Sequence, residues 1–179
     1  MPILISAVVL LAALTVLNLL LTFGIVRKLR AQGAAGAGAD LDPADLLLPV
    51  GSTAPEFAAV TVAGKTVSRE RLGAALFGFF SPNCPACKER MPAFLEVARR
   101  AGEDGRRVLA VVHGDEAETR EQVAALTGVA QVVVEPVGGP LGLGFAVAGY
   151  PVFGLIDENG TITASGFDPK SLSVAPARV

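Results

Sequence analysis

The sequence has few of the residue types that hold small proteins together covalently or through metal ions. Among 179 residues there are two cysteines, one histidine and no tryptophan. Both cysteines lie in one motif, so no disulfide framework can form and stability must come from the hydrophobic core. A structural zinc site needs about four nitrogen or sulfur ligands, and these cysteines and His113 do not supply them.

Charged side chains are also scarce, and neither sign is in excess. The chain has 15 Lys and Arg residues against 17 Asp and Glu residues, for a formal net charge of −2. This balance argues against a nucleic-acid partner, which would require a basic surface. The glycine-rich stretch 137–144 lacks the Gly-Lys-Ser/Thr of a phosphate-binding loop, and we interpret it as a connector.

Apolar residues, by contrast, are abundant, at 51% of the chain with a mean hydropathy of +0.53. Residues 2–26 carry no charged side chain, and about 20 apolar residues suffice to span a bilayer. We therefore predict a single transmembrane anchor at 2–26, with the lipid bilayer as a partner, and a flexible linker at 27–49. No Lys or Arg precedes the run, which favours an uncleaved anchor over a signal peptide.

The flanking charges leave the orientation of this anchor open. Arg27, Lys28 and Arg30 lie on its C-terminal flank, and the positive-inside rule would keep that flank, with the domain behind it, on the cytoplasmic face. However, a long domain can translocate largely regardless of so few charges.

The rest of the chain alternates between strand-like and helix-like segments. The predicted strands are 57–62, 66–67, 74–80, 108–113, 131–135, 151–157 and 161–165. Helices are predicted at 69–72, after Cys84 and from 115 to about 126. Strands alternating with helices indicate an α/β domain whose sheet has helices on both faces, with a final antiparallel hairpin. We place this domain at 50–167 and a C-terminal tail at 168–179.

Cys84 and Cys87 stand where the apolar strand 74–80 passes into an amphipathic helix. A helix N-terminus presents unpaired N–H groups and the positive end of the helix dipole, and both stabilise a thiolate. Thiols at such positions have pKa values of about 3.5–7.5, against about 8.5 for a free thiol. We therefore predict Cys84 as a nucleophile and Cys87 as a resolving thiol. A purely structural disulfide in so short a loop would constrain the unfolded chain very little.

From about residue 50 to 167 the chain resembles the membrane-anchored, TlpA-like branch of the thioredoxin superfamily, with similarity to MauD-type proteins. The segments that carry the resemblance are 51–57, 64–67, 79–87, Pro92, 149–151 and 155–160. The resemblance implies a thioredoxin-like fold with a central mixed sheet. It also implies a thiol-disulfide oxidoreductase, specifically a reductase, that needs no cofactor or metal.

The resemblance further implies roles for individual residues and partners. Cys84 would attack a disulfide and Cys87 would resolve the mixed disulfide. Pro151 would be cis and lie against the cysteines, with Tyr150, Pro85 and Ala86 completing the substrate-binding surface. Expected partners are a disulfide- or dithiol-bearing protein and a membrane redox donor such as a thiol-electron transporter. Such proteins usually work outside the cytoplasm, so we expect an extracytoplasmic domain.

A thiol-disulfide exchange also needs a group that exchanges protons with the thiols. Asn83 replaces the tryptophan of many relatives, and the strand 74–80 lacks the buried acid that assists the resolving thiol in thioredoxin. Glu89 and His113 are the nearest candidates. For His113 we favour an incidental polar residue at a strand end over a functional role.

Two other functions fit the same fold. Peroxiredoxins carry Thr or Ser three residues before their cysteine, where this chain has Ser81, but Phe77 occupies the position of their proline. A non-catalytic binding module would use the domain as a docking surface, and its binding would survive loss of the cysteines.

Overall fold

The computed structural model describes residues 5, 6, 11, 14–16, 18, 19 and 46–172. The predicted anchor and linker and residues 173–179 of the predicted tail therefore lie largely outside the described residues. Among the described residues, no helix has both the length and the apolar character needed to cross a bilayer. The chain divides into two units, Met1–Ala39 and Asp40–Val179, and all elements below belong to the second.

The domain contains a small hairpin and a five-stranded sheet. The hairpin consists of β1 (Ala58–Val60) and β2 (Thr66–Ser68), paired antiparallel. The strands of the main sheet are β3 (Ala75–Phe80), β4 (Arg107–His113), β5 (Gln131–Glu135), β6 (Val152–Ile156) and β7 (Ile162–Gly166). Their order is β5-β4-β3-β6-β7; the first three are parallel, and β6 and β7 are antiparallel to their neighbours. The predicted mixed sheet is confirmed.

Helices cover both faces of the main sheet, but unequally. They are α1 (Arg69–Leu72), α2 (Pro85–Glu103), α3 (Glu116–Leu126) and α4 (Pro140–Gly144), followed by a 3-10 helix at Pro169–Ser171. The two long helices are connections between parallel strands: α2 joins β3 to β4, and α3 joins β4 to β5. Both pack on the same face of the sheet, where Phe94 of α2 and Leu126 of α3 belong to one core cluster. The hairpin, α1 and α4 cover the opposite face, where Val67, Leu72 and Leu141 belong to a second cluster.

The neighbouring strands β3 and β6 fit closely because one phenylalanine of each strand lies over a glycine of the other. Phe77 pairs with Gly154, and Gly78 pairs with Phe153. A Cβ atom at Gly154 would collide with the ring of Phe77, and one at Gly78 would lie 3.0 Å from the ring of Phe153. Since successive residues point to opposite faces, one such pair serves each core cluster.

Two predicted segments differ from the structure. The strand predicted at 57–62 is shorter, because only Ala58–Val60 pairs with β2. The stretch 137–144, which we interpreted as a connector, contains α4. This helix begins with Pro140, whose missing N–H costs nothing in a first turn. Its N–H groups find an acceptor in the preceding strand, as described below, and this compensates for the low helix propensity of its glycines.

Candidate active site

The motif is presented by the junction between β3 and α2. Cys84 is the N-cap of α2, with extended backbone angles of φ −103° and ψ 110°, and its sulfur accepts the N–H of Cys87 at 3.2 Å. A side-chain acceptor at this position replaces a hydrogen bond that the first turn of a helix lacks. Pro85 starts the helix and needs no such partner. The first turn of α2 thus holds the Cys84 sulfur next to the backbone N–H groups of the helix.

The two thiols have opposite protonation preferences. A hydrogen bond from the Cys87 thiol, together with the N–H groups of Cys87 and Ala86, lowers the pKa of Cys84 to about 7, although partial burial acts in the other direction. The same hydrogen bond, together with burial, strongly raises the pKa of Cys87. Cys84 is half-buried and Cys87 fully buried. Near neutral pH a substantial fraction of Cys84 is therefore thiolate, while Cys87 stays neutral.

Tyr150 and Pro151 form the second wall of the site. The predicted cis peptide bond between them is present. The backbone carbonyl of Tyr150 accepts a hydrogen bond from the Cys84 thiol at 3.4 Å. Pro151 is buried directly before β6, whereas Pro85 and Ala86 occupy the more accessible first turn of α2. The structure thus brings Cys84, Cys87 and the backbone of Tyr150 together.

A groove of about 430 Å³ opens beside the motif, between the start of α2 and α3. Pro82, Asn83 and Lys88 line its motif side. On the α3 side, Gln122 is buried and donates from Nε2 to the backbone carbonyl of Ser81 at 3.1 Å. The loop before Cys84 is therefore tied to α3 at the wall of this groove.

His113 lies at the end of β4 and has a partner at each ring nitrogen. Its side chain is fully buried, and its Nε2 lies 2.7 Å from Oε1 of Glu135. Its Nδ1 lies 2.5 Å from the hydroxyl oxygen of Tyr150. The ring also stacks on Phe79, with a centroid distance of 5.7 Å. Both ring nitrogens therefore have polar partners inside an apolar core.

Glu135 completes this network through α4. Its Oε1 accepts the N–H of Gly142 at 2.7 Å, and its Oε2 accepts the N–H of Leu141 at 3.1 Å. Burial acts to raise the pKa of Glu135, but the hydrogen bonds from His113, Gly142 and Leu141 more than offset it, so the pKa is lowered. Burial, reinforced by the negative charge of Glu135, raises the pKa of Tyr150.

Sequence reasoning missed Glu135 as a site-proximal residue. The available signal was a carboxylate that directly follows three valines in one strand, next to a parallel strand that also ends in an ionisable residue. In the register, His113 of β4 stands opposite Glu135 of β5.

The two proton-transfer candidates occupy different surroundings. Glu89 is exposed on α2, and its charge raises the pKa of Cys84, so it opposes thiolate formation. His113 shares its face of the sheet with Leu109 and Val111, because residues alternate along β4. Cys87 belongs to the cluster on the other face. The sheet therefore separates His113 from the resolving thiol.

Comparison with known proteins places this arrangement in a family. The sequence model of the AhpC/TSA family matches residues 50–165. A search of curated protein sequences finds no match.

Several solved structures have a similar fold. A protein described as a thioredoxin from Neisseria meningitidis is 28% identical, with a TM-score of 0.55, and the match covers 64% of this chain and 79% of that one. A protein described as thiol:disulfide interchange protein DsbE from Chlorobium tepidum is 26% identical, with a TM-score of 0.52, covering 66% and 84%. An exposed lipoprotein thioredoxin from Streptococcus pneumoniae is 26% identical, with a TM-score of 0.52, covering 63% and 88%.

The family match includes the motif, the Tyr150–Pro151 bond and every strand of the main sheet except the last residue of β7. The similar structures match this chain with TM-scores of 0.52 to 0.55. The chain therefore belongs to the AhpC/TSA family and has a thioredoxin-like fold.

Proposed function

We propose that the chain is a thiol-disulfide oxidoreductase that exchanges two electrons with partner proteins through Cys84 and Cys87. The observation that carries the proposal is the asymmetry of the two sulfurs. Cys84 is half-buried and has a pKa of about 7, whereas Cys87 is fully buried and stays protonated beside it. Stepwise disulfide exchange requires a thiolate that attacks first and a second thiol that stays protonated until it resolves the mixed disulfide.

The reaction proceeds in two exchanges. The Cys84 thiolate attacks one sulfur of a partner disulfide, so that a mixed disulfide forms and the other partner sulfur leaves as a thiolate. Cys87 then loses its proton to that leaving thiolate or to water, attacks the Cys84 sulfur and displaces the second partner sulfur. The partner ends as a dithiol and the chain as a Cys84–Cys87 disulfide, a transfer of two electrons. The reverse sequence oxidises a dithiol.

Substrate binding is proposed for the surface around Cys84. The Tyr150 backbone and Pro151 would hold the partner segment on one side, and Pro85 and Ala86 would contact it on the other. In support, the Tyr150 carbonyl already contacts the Cys84 sulfur. The groove beside Pro82 and Asn83 offers space for the residues that follow the partner cysteine.

We further propose that the enzyme is a TlpA-like reductase held at a membrane by residues 2–26, with its catalytic domain outside the cytoplasm. The uncharged length of that segment supports the anchor, as does the exposure of the described apolar residues within it. These are Ile5, Leu11, Leu14, Val16 and Leu19, each more than half exposed. A membrane redox donor such as a thiol-electron transporter would re-reduce the Cys84–Cys87 disulfide.

Cysteine variants of the full chain in detergent test this function. Wild type should reduce a model protein disulfide with turnover, and Cys84→Ser should abolish it because the attacking sulfur is gone. Cys87→Ser should instead accumulate the mixed disulfide, seen as a covalent band on non-reducing gels. Normal turnover by Cys84→Ser would refute the assignment. Rapid consumption of hydrogen peroxide by wild type would favour a peroxidase instead.

A further inference from the structure

The buried network on the face opposite the thiols serves no purpose in the exchange steps above, yet it is fully connected. Burying a histidine and a carboxylate is costly unless each polar atom is paired. Here the pairing is complete, from the Tyr150 hydroxyl through both nitrogens of His113 to both oxygens of Glu135. Apolar residues could have filled these positions in the core, so the presence of a polar network there needs an explanation. The residue at which the network ends, Tyr150, suggests one.

Hydrogen-bond chemistry fixes the direction of the bonds to Glu135. Both oxygens of Glu135 accept backbone N–H groups, which suits an ionised carboxylate. The third bond to that carboxylate must come from a donor, so Nε2 of His113 carries a proton. The other ring nitrogen, Nδ1, shares a hydrogen bond with the Tyr150 hydroxyl, which can act as donor or as acceptor. The phenol of Tyr150 is therefore held by an oriented ring nitrogen.

Tyr150 is the point at which this network reaches the redox site. Its ring packs against both core clusters, and its backbone carbonyl contacts the Cys84 thiol at 3.4 Å. His113 cannot act on Cys87 directly, because the sheet lies between them. The contacts that link the network to Cys84 therefore run through Tyr150.

The glycines of α4 and the turn before it fit the network closely. A Cβ atom at Gly142 would lie 2.8 Å from Cε1 of His113, and one at Gly139 would lie 2.6 Å from the carboxyl carbon of Glu135. Real Cβ contacts essentially never fall below 3.0 Å, so only glycine allows this approach. The glycine-rich stretch thus lets α4 bring its N–H groups onto the carboxylate.

We propose that His113 and Glu135 are positioning residues of the redox site, which fix the phenol of Tyr150 and thereby keep its backbone carbonyl against the Cys84 sulfur. The pair acts through Tyr150 and does not itself exchange protons with either thiol. The effect on the free thiol is independent of any partner. Only the effect on disulfide exchange rests on the proposed function.

Tyr150→Phe is the mildest test, because it removes one hydroxyl and leaves the ring in place. The Tyr150 carbonyl accepts a hydrogen bond from the Cys84 thiol, and Tyr150 also helps to bury the sulfur. Both effects favour the neutral thiol over the thiolate. Loosening them should lower the pKa of Cys84 below its wild-type value of about 7. The pH profile of iodoacetamide alkylation of Cys84 measures this. Disulfide exchange should slow by about tenfold or more, as expected for a misplaced reacting group.

Gly142→Ala tests the same connection from α4. Its Cβ must displace the His113 ring, so the pKa of Cys84 should fall as in Tyr150→Phe although α4 contributes no group to the site. Gly128→Ala is the matched control, because a Cβ there meets no atom within 4 Å. Ile162→Val, at the opposite edge of the sheet, controls for a general loss of packing. Neither control should change the alkylation profile.

A double-variant comparison separates positioning from simple stability. If His113 acts only through Tyr150, adding His113→Ala to Tyr150→Phe should change the Cys84 pKa no further. Should His113→Ala fail to fold, the Tyr150→Phe and Gly142→Ala profiles still decide. A folded Tyr150→Phe variant with a wild-type Cys84 pKa would overturn the inference. A shifted pKa in a chain that shows no disulfide exchange would instead refute only the proposed function.

Discussion

The two faces of the main sheet differ in how they support the active site. On the α2 face the helix start provides the thiols and their N–H donors, and the surrounding core is apolar. On the α4 face the core encloses the ionisable pair His113 and Glu135, whose hydrogen bonds end on Tyr150. The first face generates reactivity from local chain geometry, whereas the second depends on contacts between distant segments. The reactive groups of a site can thus all lie on one face of a sheet while residues on the other face hold part of that site in position.

Removing the carboxylate should have the largest effect and would show whether the α4 face depends on its polar pair. Glu135→Ala leaves Nε2 of His113 and the N–H groups of Leu141 and Gly142 buried without their partner. Breaking a buried pair in this way costs about 3–5 kcal/mol. Urea unfolding of the full chain measures the free energy of unfolding, with Glu158→Ala in an exposed turn as control. A loss no greater than that of the control would mean that the pair is dispensable.

The α2 face predicts a large change in thiol acidity. The hydrogen bond from the Cys87 thiol is the main cause of the low pKa of Cys84, so Cys87→Ala should raise that pKa from about 7 towards 9.0. Cys87→Ser, which keeps a hydroxyl donor, should raise it less. Alkylation rates across pH measure both. If the two variants behave alike, backbone N–H groups rather than the second side chain set the pKa.

The glycines of the central strands allow the packing of both faces to be compared directly. A Cβ at Gly154 meets Phe77 and, at 2.9 Å, the backbone oxygen of Ala164, whereas one at Gly78 meets only side chains. Overpacking of a core typically costs about 1–3 kcal/mol. We expect Gly154→Ala to lose more stability than Gly78→Ala, because backbone yields less than a ring. Equal losses in thermal unfolding would contradict this order.

Acid should weaken the α4 face selectively. The folded pKa of Glu135 lies below its ordinary value of 4.5, so the ionised carboxylate contributes stability above that pH, and this contribution is lost as pH falls through the folded pKa. Glu135→Gln removes this dependence and should be less stable at neutral pH. The stability difference between wild type and Glu135→Gln should therefore narrow as the pH is lowered below 4.5 in urea unfolding.

The smallest effect is expected on the outer surface of α2. Arg90 lies 3.4 Å from Asp168, and both side chains are about two-fifths exposed. Exposed ion pairs of this kind contribute about 0–1 kcal/mol. Arg90→Ala should therefore change the melting temperature little, and less still at high salt. A clear loss would show that the segment before the 3-10 helix holds α2 more firmly than its exposure indicates.

The α2 face was accessible to prediction because its information is local in sequence. The apolar run 74–80, the cysteine spacing and Pro85 together specify a strand that enters a helix at Cys84, and the structure has this junction. The cis bond before Pro151 was predicted from a proline placed directly before a strand and from the resemblance, because the residues around it do not by themselves exclude the trans form.

The α4 face was not predictable in the same way. The contact between His113 and Glu135 depends on the register of two parallel strands joined through α3, and a single sequence does not specify that register. The stretch 137–144 has too many glycines to indicate a helix by propensity. Its helix exists because Glu135 accepts the N–H groups that begin it, a contact that only the folded chain creates.

Tyr150 is the only tyrosine of the chain, and there is no tryptophan. When light is used that phenylalanine does not absorb, the intrinsic fluorescence of the protein therefore comes from Tyr150 alone. The hydroxyl of this residue contacts His113 and its backbone carbonyl contacts Cys84. Light emission should consequently change when the thiols are oxidised and when the imidazole is displaced. The fluorescence of Tyr150 could therefore be used to follow oxidation of the thiols and displacement of the imidazole in real time, without an added dye.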